Sequence, residues 1–188
     1  GGHCIPLDPQ YLSWKAKTFN FYNRFIELAS DINGNMPRYA VRRISEVLNT
    51  RGKCLSRSRI LVLGAAYKKD INDVRESPSL EIINLLIKSG AEVCYNDPYV
   101  PQLNTVAGIM KSSPVDLRTL KGYDCVVVGT DHSDYDMKVI CENAKAIFDT
   151  RNATRDVRGQ DVIVMGDGWQ VPFRLEEDEA ACAAEQEC

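Results

Sequence analysis

The stretch Arg59-Ile60-Leu61-Val62-Leu63-Gly64-Ala65-Ala66-Tyr67-Lys68-Lys69-Asp70 decides the fold. Its apolar run from Ile60 does not alternate with polar residues. A continuous β-branched and leucine run closed by glycine marks a strand buried on both faces. The same signature returns in Cys125-Val126-Val127-Val128-Gly129, in Ala146-Ile147-Phe148-Asp149 and in Val162-Ile163-Val164-Met165. Glu92-Val93-Cys94-Tyr95-Asn96, closed by Asp97-Pro98, adds another strand. Helical stretches separate these runs. Residues 78–89 carry Ser77 as N-cap, Pro78 at the first helical position and Gly90 as the stop. Residues 117–121 and 135–143 read as two further helices. Buried strands alternating with helices specify an α/β fold, a parallel sheet with helices on both faces. Such a sheet binds ligands at the carboxyl ends of its strands.

Upstream, residues 9–51 read as helical. Ile26, Ala29 and Asn33 mark one face, and Ala40, Ile44, Val47 and Leu48 another, at 3.6-residue spacing. Gly34-Asn35-Met36-Pro37 is expected to interrupt the pattern, with Pro37 starting or kinking a helix. These helices are too few to close a core, so they are expected to pack on further chain or on a second subunit. A simple helical lead-in fits the pattern equally well. Residues 51–58 form a polar link. The expected organisation is a helical region over 1–51, the sheet domain over 52–175 and an acidic tail over 176–188.

With 188 residues, the chain is long enough for one full domain. Its 44% hydrophobic and 26% charged content is ordinary for a globular protein. Six of the 26 acids sit in the last thirteen residues, so the net charge of −3 comes from the tail. The near-neutral remainder gives no case for nucleic acid. No apolar run reaches the roughly 18 residues of a membrane span. Seven cysteines follow no regular framework and include no CxxC pair. That pattern reads as reduced thiols in the cytoplasm, with no metal site: His3 and Cys4 are adjacent rather than at ligand spacing.

The segment Gly1-Gly2-His3-Cys4-Ile5-Pro6-Leu7-Asp8-Pro9 places a thiol after a diglycine and a carboxylate four residues on. The thiol suits a nucleophile and the carboxylate suits activation of water. A catalytic segment at residue 1 leads us to expect further chain before it. At the end of the first strand, one glycine stands where a dinucleotide fingerprint has three. The sheet is therefore not expected to hold NAD in the usual way. Lys68 and Lys69 suit a phosphate or sugar hydroxyl, or are simply solvated. Arg75 reads as an anion clamp or a surface ion pair. Arg151, in Asp149-Thr150-Arg151-Asn152, lies on the same sheet edge. His132 reads as structural more than catalytic, and Gly166-Asp167-Gly168-Trp169 as a turn with a packing aromatic.

Three stretches, in this order, resemble the nucleotide-sugar 6-dehydrogenase family (UDP-glucose/GDP-mannose dehydrogenases). They are residues 1–9, the run Gly64-Ala65-Ala66-Tyr67-Lys68-Lys69-Asp70-Ile71-Asn72-Asp73-Val74-Arg75-Glu76-Ser77, and Asp149-Thr150-Arg151-Asn152. The resemblance covers residues 1 to about 170. It implies a Rossmann-like sheet gripping a UDP-sugar, a central helical region forming a homodimer, and NAD bound mainly by a domain absent from this sequence. It implies oxidation of the sugar C6 alcohol to a carboxylate with two NAD and one water. Cys4 matches the nucleophile that carries the thiohemiacetal and thioester, and Asp8 the carboxylate that assists hydrolysis. Tyr67, Lys68 and Arg151 match substrate contacts, and Arg75 an arginine reaching NAD. His3 and Leu7 depart from the UDP-glucose enzymes, which have serine and lysine there. They look more like the branch acting on UDP-N-acetyl-hexosamines. Without a GxGxxG, the chain is expected not to turn over alone. A non-catalytic nucleotide-sugar-binding module and a helix-mediated interaction protein are the alternatives.

Overall fold

A computed structural model describes residues 4–157, 159 and 161–167. Two helices come first, α1 (Cys4–Lys17) and α2 (Arg24–Asn49). The sheet region follows as β1 (Arg59–Leu63), α3 (Pro78–Lys88), β2 (Glu92–Asn96), β3 (Gln102–Thr105), β4 (Gly108–Lys111), β5 (Cys125–Val128), α4 (Met137–Asn143), β6 (Ile147–Asp149) and β7 (Val162–Val164). Five strands form one parallel sheet in the order β2-β1-β5-β6-β7.

The period-2 geometry of a strand sorts the apolar runs onto two faces. Ile60, Val62, Val127, Phe148 and Ile163 join one core with Ile82, Ile83 and Leu86 of α3 and Ala40, Ile44, Val47 and Leu48 of α2. Leu61, Leu63, Val126, Val128 and Ile147 join a second core with Ile140 of α4 and Leu120. Both faces are covered, as the unbroken apolar runs require.

The helical lead-in differs from expectation. α2 runs without a break through Gly34-Asn35-Met36-Pro37, with Pro37 buried inside it. Pro37 offers no N–H to the Asn33 carbonyl one turn back, and Asn33 is exposed. The chain turns earlier, where Asn20 adopts φ 57° and Asn23 caps α2 by accepting from the Ile26 amide. The helix expected over 117–121 is a single 3-10 turn at Leu120–Gly122. An antiparallel hairpin, β3 with β4, stands where no element was expected. Its Leu103 and Met110 pack on the α3 side of the sheet. Gly168, Trp169 and the acidic tail lie outside the described residues.

Candidate functional site

From β1 the chain crosses to β2 through α3 on one face, and β5 crosses to β6 through α4 on the other. The strand order therefore reverses between β1 and β5, and their carboxyl ends open the crevice where such sheets take ligands. Two glycines permit the close exit of the two strands. A Cβ on Gly64, which has φ 80°, would stand 2.5 Å from the Thr130 carbonyl oxygen. A Cβ on Gly129 would stand 2.5 Å from the Gly64 carbonyl oxygen and 2.6 Å from Ser79 Oγ. Only hydrogen fits at either position.

The loops at this edge are tied to one another. Thr130 Oγ1 donates to the Ala66 carbonyl (2.5 Å). Arg151 Nε donates to the Gly129 carbonyl (2.7 Å) and its Nη2 to the Tyr67 carbonyl (3.2 Å). One guanidinium thus bridges the exits of β1 and β5 and stays exposed. Arg151 is itself held by Asp149, a fully buried carboxylate at the end of β6. Asp149 accepts from the amides of Arg151 (2.8 Å) and Thr154 (2.9 Å) and from the Thr154 hydroxyl (2.7 Å).

Lys68 and Lys69 are exposed at the head of the β1 exit loop, next to half-buried Tyr67. The Tyr67 amide donates to the Asp73 carbonyl (3.0 Å). The Asp73 carboxylate receives Arg75 through Nε (3.0 Å) and Nη2 (2.6 Å). This hydrogen bond and the Asp73 charge hold the Arg75 guanidinium above its ordinary pKa, with Tyr67 and Cys4 adding smaller electrostatic contributions. Cys4 is thus within electrostatic reach of Arg75. Cys4 and Asp8 lie one turn apart on α1, on the same helix face, and both are exposed. The structure brings together Tyr67, Lys68, Arg75 and Arg151 on the sheet edge. Cys4 and Asp8 are carried by α1.

Sequence reading missed Asp97, whose Asp-Pro step signalled only a strand end. Its buried carboxylate accepts from the amides of Ala65 (2.7 Å), Ala66 (3.0 Å), Tyr99 (2.8 Å) and Val100 (3.0 Å). Burial pushes the Asp97 carboxyl up, but the bonds from His132 and these amides outweigh it and hold the pKa below the ordinary carboxylate value. The amides of the β1 turn are where a dinucleotide-binding sheet would cradle a pyrophosphate. Here Asp97 already occupies them with its own negative charge. These residues do not fit NAD in the usual position. Ser77 shows a related reassignment: its hydroxyl donates to the Ala65 carbonyl (2.7 Å) rather than capping α3.

His132 is fully buried, Nε2 lying 3.1 Å from Asp97 Oδ2 and Nδ1 accepting the Asp70 amide (2.9 Å). Beside it, Lys69, Asp131, Ser133, Tyr135, Met137 and Ala153 line a polar cavity of about 240 Å³. No cluster of three or more metal-ligating side chains occurs among the described residues.

A crevice at the strand-order reversal with a basic rim defines an α/β ligand-binding domain of the doubly wound class. The description UDP-glucose/GDP-mannose dehydrogenase family, UDP binding domain, matches residues 61–156, and the chain belongs to this family. The UDP-N-acetyl-D-mannosamine dehydrogenase of Methanococcus maripaludis is 33% identical over 160 residues, covering 81% of this chain and 35% of the relative. The solved UDP-D-ManNAc dehydrogenase of Pyrococcus horikoshii superposes with a TM-score of 0.74 at 31% identity, over 89% of this chain and 39% of that one. The NDP-N-acetyl-D-galactosaminuronic acid dehydrogenase of Methanosarcina mazei superposes at 0.70 with 27% identity, over 87% of this chain and 37% of that one. The chain thus spans little more than a third of the proteins it resembles.

Proposed function

We propose that this chain is the substrate-holding part of an NAD-dependent UDP-sugar 6-dehydrogenase of the cytoplasm. A UDP-N-acetyl-hexosamine is its substrate, in line with the names of the relatives and with His3 and Leu7. The observation that carries the reading is the Arg151 guanidinium spanning Gly129 and Tyr67 at the strand-order reversal, with Lys68 beside it. A fixed guanidinium and an exposed ammonium beside a crevice suit a diphosphate, and the forked arginine adds geometric selectivity. Tyr67 contributes an aromatic face.

In this reading Cys4 bonds to the C6 carbonyl carbon as a thiolate and keeps the aldehyde level from escaping. After oxidation of that adduct to a thioester, Asp8 takes a proton from the attacking water, and the thiolate leaves as the carboxylate forms. The hydride acceptor is held outside the sheet described here, and Arg75 is the one group of this chain assigned to reach it. The chain alone is expected to form no NADH from UDP-N-acetylmannosamine. The helical region over 1–51 is assigned to homodimer formation and residues 52–175 to nucleotide-sugar binding.

Titration calorimetry with UDP tests the reading. Binding by the intact chain and its loss in Lys68→Ala are expected; absence of UDP binding overturns it. A pure binding module is the second reading, favoured by the exposure of both Cys4 and Asp8 on α1. Iodoacetamide labelling in the complete enzyme decides between them: a Cys4 no more reactive than exposed Cys54 favours the module.

A further inference from the structure

We propose that His132 is a positioning residue for nucleotide-sugar binding, acting through the Asp70 amide to hold the Tyr67-Lys68-Lys69 segment. The proposal rests on the UDP-binding reading above.

The segment is bracketed. On one side, Thr130 Oγ1 holds the Ala66 carbonyl and Asp97 holds the Ala65 and Ala66 amides. On the other, Asp70 adopts φ 59°, a left-handed conformation that costs a non-glycine residue and needs outside support. That support comes from two neighbours on the β5 exit. His132 Nδ1 accepts the Asp70 amide at 2.9 Å, and the Asp70 carboxylate accepts Ser133 N (2.8 Å) and Ser133 Oγ (2.7 Å).

The ring's proton state follows from its partners. Nδ1 faces an N–H donor, so it must be the acceptor nitrogen. Nε2 then carries the hydrogen and donates to Asp97. Tyr99 lies tilted at 4.9 Å and Tyr135 edge-on at 5.7 Å between ring centroids, so the imidazole has little freedom to turn. Tyr135 is fixed in turn by donating to the Asn96 carbonyl (2.7 Å). One ring therefore joins both anchors of the segment, Asp97 at its start and Asp70 at its end.

Two variants separate the ring's bonds. In His132→Asn, the side-chain oxygen stands where Nδ1 stood and keeps the Asp70 amide. In His132→Gln, the amide nitrogen reaches the Nε2 position and keeps Asp97, but nothing accepts from Asp70. Hydrogen exchange of the Asp70 amide and UDP affinity are measured on the full chain at a temperature where wild type and both variants are folded. In His132→Asn, Asp70 protection is expected to persist and the UDP Kd to stay within about threefold of wild type. In His132→Gln, protection is lost and UDP binds about tenfold more weakly. A merely structural histidine would show loss in both, tracking thermal stability. Equal protection or equal affinity loss in the two variants overturns the proposal alone. A wild-type chain that does not bind UDP overturns the parent reading and this one with it.

Discussion

Arg151 is set in place by a carboxylate that solvent never meets. Asp149 organises the 149–154 turn, and the turn aims the guanidinium across two strand exits. Arg151→Lys keeps the charge but not the fork that reaches both Gly129 and Tyr67. UDP affinity is expected to fall by about ten- to a hundredfold, the range of a lost charge-assisted hydrogen bond, as read by calorimetry. Asp97 predicts a pH response. Its pKa in the folded chain is depressed below the unfolded value of about 3.9, so its contribution to stability is complete above that pH. The contribution is lost as pH falls through the unfolded value toward the folded one. Acid titration of unfolding is expected to show wild type losing stability below about pH 4. Asp97→Asn should be less stable at pH 7, since an amide group would face backbone donors, and should show a shallower acid slope.

At the scale of elements, β1 and β5 leave the sheet so closely that side chains are excluded at Gly64 and Gly129. Gly64→Ala is expected to cost roughly 2–4 kcal/mol by denaturant unfolding, combining a left-handed φ with an overpacked contact. Helix α2 divides along its length. Ala40, Ile44, Val47 and Leu48 near its carboxyl end are fully buried against the sheet. Phe25 and Leu28 near its start are 85% and 55% exposed. Ile44→Ala is expected to destabilise the sheet by about 2–5 kcal/mol, in the range of buried large-to-small substitutions.

Among the described residues, α1, the turn after it and the start of α2 carry a run of large exposed apolar side chains, among them Tyr11, Trp14, Phe19 and Phe25. A patch of that kind marks an interface, and the homodimer reading assigns it to a second copy. Light scattering is expected to show a dimer for wild type and a monomer for Phe25→Glu; a wild-type monomer at high micromolar concentration would refute the assignment. No helix among the described residues is long and apolar enough to cross a membrane.

Taken alone, the amino-acid order determined the sheet, because unbroken apolar runs such as 60–63 and 125–128 have no stable place except between two covered faces. It also indicated that Lys68, Arg75 and Arg151 share one sheet edge, because they follow strand ends. The hairpin of β3 and β4 stayed hidden, since its strands are four residues each and Ile109 faces solvent, with Leu103 and Met110 turned to the core. The uninterrupted α2 stayed hidden because a proline signals a break locally, while packing of the ring against neighbours decides whether one occurs. Asp97 and His132 were legible as residues but not as a pair. They lie 35 positions apart, and their bond exists only because β2 and β5 flank β1 and bring their exit loops to one edge. Local pattern carries information about periodicity and burial. Which distant polar groups meet, and whether a loop's amides face a ligand or the chain's own carboxylate, depends on how the strands are ordered in space.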